Sequence, residues 1–223
     1  SPEQDVRKPI KVKGKVDVVF HLASMTGVRH SMNHPASHLE TNITGTLNVL
    51  EYARQKKIKR MVFASTSSVF AGQRVPFSEE TPTTAMVSPY SVTKRSAEAM
   101  CRVYCHLYGM NVNVVRFFTV YGENGRQDMM VWRLIDAVLH ERVLHVYGDG
   151  SQMRDFTYVG DVVEGTIKAS LFEKGYEEWN LGGGRAVSVR RLIQMVEKLC
   201  GEEAVLRYLP EQECDAKETC CDN

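Results

Sequence analysis

Val16-Asp17-Val18-Val19-Phe20-His21-Leu22 is a short, β-branched apolar run, the kind of segment that a parallel sheet buries on both faces. Reading outward, Pro35 to Lys57 carries Leu39, Ile43, Leu47, Leu50 and Tyr52 at near-helical spacing and predicts a long helix. Arg60 to Thr66 predicts the next strand, Gly72 to Pro89 a polar loop, Pro89 to Tyr108 a helix and Val112 to Phe118 a third strand. Helices over Asp128 to Glu141, Asp161 to Phe172 (from an acidic cap) and Ser188 to Cys200 (capped by Ser188) complete the helical pattern. Short strands are expected at Leu144 to Tyr147, Glu178 to Leu181 and Val205 to Tyr208. Strand-helix alternation with short links predicts an α/β fold, a doubly wound parallel sheet with ligands at the carboxyl ends of its strands.

Composition excludes several classes. The 223 residues are 43% hydrophobic, enough for one sizeable core and a small second lobe. With 28 Lys plus Arg against 27 Asp plus Glu, the near-neutral chain is not a nucleic-acid or acidic-membrane specialist. No apolar run is long enough to cross a bilayer. The local basic run Arg7, Lys8, Lys11, Lys13 and Lys15 reads either as an anion patch or, in the plainer view, as a solvated connection. The six cysteines offer no disulfide framework and no zinc spacing, so reduced thiols in a cytoplasmic protein without a metal are expected.

The chemistry lies in Tyr90-Ser91-Val92-Thr93-Lys94, read with Ser65-Thr66-Ser67-Ser68 upstream. At about 3.6 residues per turn, Tyr90 and Lys94 share one helix face. An ammonium beside a phenol favours the phenolate, so the Tyr90 pKa is expected to fall towards the working pH. A strand-end hydroxyl such as Thr66 would bridge substrate to that phenolate. Such a set moves the proton of an alcohol being oxidised or a ketone being reduced.

These motifs resemble the extended short-chain dehydrogenase/reductases, in the nucleotide-sugar epimerase/dehydratase group. The resemblance runs over nearly the whole chain: FHLAS (Phe20 to Ser24), NITGT (Asn42 to Thr46), ASTSSVF (Ala64 to Phe70), RFFTVYG (Arg116 to Gly122), YGDGSQMRDFTYVGDV (Tyr147 to Val162) and NLGGG (Asn180 to Gly184). It implies a Rossmann-like NAD-binding part over 1–120 carrying the catalytic residues, and a smaller α/β lobe over 121–223 that binds a UDP-sugar and returns segments to the sheet. Thr66, Tyr90 and Lys94 are implied as catalytic, and Asp5, Val6, Leu22, Ala23, Ser24, Asn42, Tyr90, Lys94 and Phe117 as cofactor-binding. Thr66, Tyr90, Thr119, Arg126, Gln152, Arg154 and Asp215 are implied for the substrate, with Arg126 and Arg154 on its phosphates and Asn42 holding the loop near the site. The histidines, His21 included, read as structural. A homodimer through the helices 35–57 and 89–108 is also implied.

Within the group, Ser67 and Ser68 stand where dehydratases resemble STDEVYG, and Ser68 where decarboxylases carry glutamate, so the acid and base of those reactions are missing. Thr119 with Gly125-Arg126-Gln127-Asp128-Met129, and Gly27-Val28-Arg29 with Ser31, resemble the UDP-glucuronate 4-epimerases. The implied reaction is NAD-dependent inversion at C4 through a 4-keto sugar. Departures from the pattern are Phe70-Ala71 for Tyr-Gly, Gly160 for an aspartate and Cys214 for a glycine before Asp215. The alternatives are another UDP-sugar 4-epimerase, of glucose/galactose or pentose type, or a non-catalytic piece. The last is kept because the Gly-rich turn that receives a dinucleotide's pyrophosphate is not found before Val16, and the sheet is expected to be incomplete at its N-terminus.

Overall fold

The computed structural model describes residues 3–212 and 215–223. In chain order its elements are β1 (Val18–His21), α1 (Val28–Asn33), α2 (Pro35–Leu39), a π-helical turn (Glu40–Thr44), α3 (Gly45–Gln55), β2 (Arg60–Thr66) and a 3-10 turn (Ser67–Phe70). There follow α4 (Pro89–Tyr108), β3 (Asn111–Phe117), β4 (Thr119–Tyr121), α5 (Met130–Leu139), β5 (Val143–Tyr147), β6 (Met153–Tyr158) and α6 (Val159–Ser170). The chain closes with β7 (Tyr176–Leu181), β8 (Ala186–Ser188), α7 (Val189–Cys200) and β9 (Val205–Leu209).

The main sheet is wholly parallel, in the order β1-β2-β3-β7. β2 and β3 are the buried centre, and their register sets Thr66 beside Phe117 at the carboxyl end. Helices α3 and α4 cover one face, where Leu50, Ala53, Ala97, Cys101 and Tyr104 join Met61, Phe63 and Val112 in one core. On α6, Ala169 packs with Val62, Ala64 and Val115 of the sheet. The remaining strands form two small sheets, β4-β6-β8 and the parallel pair β5-β9. The β5-β9 pair is covered by α5 and α7, through Leu134, Val138, Ile193 and Val196 against Leu144 and Val146.

Local chemistry explains the helix that matters most. Ser88 caps α4, its Oγ accepting the Ser91 N–H at 3.2 Å while Ser91 Oγ receives the Ser88 N–H. Pro89 fits the first turn, where no intrahelical partner for an N–H is required, and Gly109 at φ 59° ends the helix in the left-handed region. Tyr90 thus sits in the first turn, one turn before Lys94.

Three sequence expectations change. The helix predicted over 35–57 is α2 and α3 joined by the π turn, which wraps the backbone around the buried Asn42. Helix α6 starts at Val159 with Tyr158 as its N-cap, so Asp161 lies in the first turn, near the positive end of the helix dipole, rather than at the cap. Finally, α1, β4, β6, β8 and the 3-10 turn were not anticipated: all five have six residues or fewer, too short for a clear periodicity, and β6 carries Arg154 and Asp155 inside it. Cys101, Cys105, Cys200, Cys220 and Cys221 are free thiols, while Cys214 lies outside the described residues.

Candidate active site

A cavity of about 1140 Å³ opens at the carboxyl ends of β1, β2 and β3. One wall comes from the main sheet and α4, the other from β4, the loop after it, α6 and Asp215. Among the residues singled out from sequence, Leu22, Ser24, Thr66, Tyr90, Phe117, Thr119, Arg126 and Asp215 line it. Asp5, Val6, Ala23, Asn42, Lys94, Gln152 and Arg154 do not.

Thr66 ends β2 and caps the 3-10 turn, its Oγ1 accepting the Ser68 N–H at 3.2 Å and donating to Ser68 Oγ at 3.2 Å. The Tyr90 N–H donates to Ser31 Oγ at 3.1 Å, which fixes the start of α4 against α1. Burial raises the Tyr90 phenol pKa, and a hydrogen bond with Thr66 and the charge of Arg126 only partly oppose it. The expected depression by Lys94 is therefore corrected. The Lys94 ammonium instead donates to Ser24 Oγ at 3.4 Å and lies 4.4 Å from the Phe63 ring centroid. Burial brings Lys94 itself down to about 8, against the attraction of Glu98 one turn further along α4.

Behind this wall every polar group of Asn42 is used. Its Oδ1 accepts from the Met25 N–H at 2.8 Å and Ser24 Oγ at 2.9 Å. Its Nδ2 donates to the Met25 carbonyl and to Thr93 Oγ1, both at 3.0 Å. With its hydrogen-bonding capacity filled, Asn42 ties the loop after β1 to α4 and has nothing left for direct contact with a cofactor. His21 is buried against Thr46 Oγ1 at 3.0 Å, and burial, helped by Lys94, lowers its pKa to about 3. Because the Thr46 hydroxyl proton is given to the Asn42 carbonyl, His21 Nε2 must be the donor of that pair.

Two buried features escaped the sequence reading. Glu98 is fully buried and accepts from Ser65 Oγ and from Arg116 Nε and Nη2, at 3.1 and 2.9 Å for the arginine. Arg116 also meets Glu178 at 2.8 Å, so one network clamps α4 to β2, β3 and β7. The second is a histidine pair. His38 is buried edge-on to the Tyr90 ring, with centroids 5.9 Å apart, and its Nε2 lies 3.0 Å from His30 Nδ1. The helical spacing of His30, His34 and His38 was the available signal.

The other wall is more exposed. Arg126 pairs with Asp128, Nε to Oδ1 at 3.0 Å, and its charge acts on Tyr90. Arg126 thus lines the cavity within electrostatic reach of the phenol. Arg29 pairs with Asp215 and stacks on Tyr147 at 3.9 Å. Arg154, on β6, donates to the Met153 carbonyl at 2.8 Å and feels both Asp215 and Arg29. The half-buried Gln152 amide donates to the Tyr147 carbonyl. Asp5 is held by Arg7, a bidentate hydrogen bond that brings its pKa down to about 2. Val6 packs on the core next to Gly45, with its carbonyl receiving Asn48 Nδ2 at 2.9 Å.

Each of the carboxylates lining the cavity is engaged. Glu123 accepts the Tyr158 hydroxyl at 3.0 Å, Asp128 faces Arg126 and Asp215 faces Arg29. Positions 67 and 68, beside Thr66, are serines. The residues present fit the nicotinamide end of a dinucleotide. Phe20 and Leu22, 41% and 56% exposed, leave an apolar surface at the end of β1, and Ser24 and Lys94 supply hydroxyl and ammonium beside it.

The model of the NAD dependent epimerase/dehydratase family matches residues 2–182. A UDP-glucuronate 4-epimerase of Thermodesulfobacterium geofontis is 45% identical over 208 residues, 93% of this chain and 64% of that protein. The UDP-glucuronic acid 4-epimerase of Bacillus cereus, solved with UDP-glucuronic acid and NAD, superposes with a TM-score of 0.88 at 37% identity, covering 93% of this chain and 67% of that one. MoeE5, also solved with UDP-glucuronic acid and NAD, gives 0.89 at 37% identity, over 93% and 70% of the two chains. The chain thus spans about 64% of the length of the first curated relative.

Proposed function

The chain belongs to the NAD dependent epimerase/dehydratase family, and from that premise we propose that the protein inverts C4 of a UDP-hexuronic acid, interconverting UDP-glucuronate and UDP-galacturonate. One observation carries the reading. Thr66 and Tyr90 line one wall of the cavity, with Lys94 buried behind it on Ser24, while Ser67 and Ser68 stand beside them and each lining carboxylate is already engaged. Such a site handles a proton at an alcohol oxygen but offers no free acid and base for elimination of water.

Bound NAD supplies the hydride acceptor and donor that inversion of a carbon centre requires. Leu22, Ser24, Lys94 and Phe117 would hold its nicotinamide end. Tyr90 takes and returns the O4 proton, with Thr66 sharing a hydrogen bond to the phenol that the same oxygen would join. The hydrogen bond with Thr66 and the positive charge of Arg126 favour the ionised phenol against its burial. At the sugar's other polar group, Thr119 offers a hydroxyl and Arg126 a planar fork suited to a carboxylate. Holding that carboxylate in place protects it while C4 is oxidised, when a β-keto acid readily loses CO₂. Arg29 and Arg154, near Asp215 and Tyr147, form the cationic end for the diphosphate.

The homologues' names support the same substrate: the Thermodesulfobacterium protein is a UDP-glucuronate 4-epimerase, and two solved neighbours hold UDP-glucuronic acid with NAD. Homodimerisation would use the exposed Val103 and Leu107 of α4, with Leu39 and Leu47 of the preceding helices; sedimentation equilibrium reads it directly. Among the described residues no helix is long and apolar enough to cross a membrane. A cytoplasmic location, which we also propose, is read by cell fractionation.

The test is conversion. Supplied with NAD and UDP-glucuronate, the protein should form UDP-galacturonate, resolved by anion-exchange chromatography, with UDP-glucose turned over far more slowly. A UDP-pentose product, or conversion of UDP-glucose alone, would overturn the substrate assignment. Tyr90→Phe should lower kcat by roughly 10²–10⁴-fold with the melting temperature unchanged, the usual worth of a general acid-base group.

A further inference from the structure

A second cavity, of about 460 Å³, lies at the other end of the main sheet. Arg60, which lines it, opens β2, and Thr66 of the first cavity closes that strand. The two cavities are therefore separated by the strand's length, about 20 Å. We propose that this second cavity binds a small phosphoryl anion of two or more negative charges.

Charge is the first argument. Lys15, Lys56, Lys57, Lys59 and Arg60 line the cavity with only Asp17 and Glu173 as counter-charges. Both carboxylates are taken, Asp17 by Lys15 at 3.0 Å and Glu173 by Arg60 at 3.5 Å. Lys59 makes only long contacts to the Tyr108 and Gly109 carbonyls, at 3.4 and 3.5 Å. Lys56 and Lys57 form no ion pair among the described residues. The whole chain has a formal charge of +1, so this excess of cation is local. Lysines that repel one another around a shared concavity are stabilised when an anion enters it.

The second argument is independent of charge. Tyr52 lines the same cavity, is only 8% exposed, and its hydroxyl is buried with no hydrogen-bond partner among the described residues. A buried hydroxyl without a partner costs free energy that an incoming acceptor recovers. Phosphoryl oxygens accept from a phenol and pair with ammonium groups, so one ligand class meets both observations.

The basic run flagged in the sequence contributes directly. Between residues 10 and 16 the chain alternates, with Ile10, Val12 and Val16 packed on the core and Lys11, Lys13 and Lys15 exposed. Anchored on its apolar side, the segment presents its lysines along one edge, and Lys15 reaches the cavity. The volume falls within the usual range for small-molecule sites, roughly 300–1,000 Å³. Nucleic acid is disfavoured because the one aromatic of the cavity, Tyr52, is buried and offers no exposed ring for base stacking.

Isothermal titration of the full chain with sodium pyrophosphate in ~150 mM NaCl, near the physiological ionic strength, with UDP in saturating excess to fill the first cavity, tests the site. Saturable 1:1 binding is expected, weakened roughly tenfold by Tyr52→Phe, the order expected for one hydrogen bond to a charged group. The double change Lys56→Gln with Lys59→Gln should weaken it by a similar factor or more. Tyr52→Phe removes a hydroxyl that holds no partner, so folding is preserved and its melting curve serves as control. Arg154→Gln separates this site from the catalytic cavity and should leave pyrophosphate affinity unchanged. The proposal falls if no saturable binding survives that salt. It also falls if affinity follows Arg154 rather than Tyr52 and the lysines, or if a DNA duplex binds more tightly than pyrophosphate.

Discussion

The two walls of the first cavity are built by opposite means. On the sheet side, Asn42, Thr66, Lys94, Glu98 and Arg116 are buried and tied to one another or to backbone by side-chain hydrogen bonds. Across the cavity, the charged groups Arg29, Arg126, Asp128 and Asp215 sit in partly or largely exposed ion pairs on the short helix α1 and on loops. Buried, hydrogen-bonded networks hold side chains to one geometry, which proton transfer needs. Exposed pairs exchange partners at small cost, which suits a surface that must accept a charged ligand. On the proposed function, proton transfer and substrate recognition would therefore rest on different kinds of interaction.

Acid should strike the sheet side first. His21 has its pKa lowered from 6.5 to about 3, so it stays neutral in the folded protein where the unfolded chain already binds a proton. Its stabilisation is complete above pH 6.5 and is lost as the pH falls towards 3, at most about 5 kcal/mol at about 1.36 kcal/mol per unit. Urea titrations across that range should show the loss, and His21→Gln should flatten it. A pH-independent stability would mean that the sheet-side wall is softer than described.

Next in size is the clamp behind α4. Arg116→Met leaves Glu98 buried without its main partner and should cost about 3–5 kcal/mol, seen as a lower urea midpoint. Adding Glu98→Leu to the same chain should restore part of that loss, because the stranded charge is gone. Asn42→Ala should cost about 2 kcal/mol, since the Met25 N–H and carbonyl both lose their partner. Its further expected effect is a lower kcat, because the loop carrying Ser24 is no longer tied to α4. On the exposed wall the smallest change is expected. Arg126→Ala should shift stability by under about 1 kcal/mol, while raising KM for UDP-glucuronate more than for UDP-glucose. A large stability loss there would erase the distinction between the two walls.

Much of the sheet-side wall was legible in the sequence because its signals are local. An uninterrupted β-branched run marks a buried parallel strand, and the predicted span Arg60 to Thr66 coincides with β2. Ser88, Pro89 and Gly109 bracket α4 through preferences that act within a few residues, and the predicted Pro89 to Tyr108 coincides with it. Strands of three residues, such as β4 and β8, leave too short a pattern to read, and β6 hides a buried Asp155 among polar neighbours. Asp155 is affordable there because the Gly183, Gly184 and Cys221 N–H groups all donate to it, and those donors come from distant parts of the chain.

By itself the sequence determined the strand-helix order, the capped catalytic helix and the placing of Tyr90 and Lys94 one turn apart, because each follows from propensity and periodicity within a few residues. Only the tertiary structure decided which charges meet which groups. Burial raises Tyr90 and lowers Lys94, the charge of Arg126 acts on the phenol, Asp215 pairs with Arg29 across 186 residues, and the Tyr52 hydroxyl, in a cavity lined by lysines, has no hydrogen-bond partner among the described residues. Solvation and Coulomb energy depend on distance and surroundings in space, and neither is written in the spacing of residues along the chain.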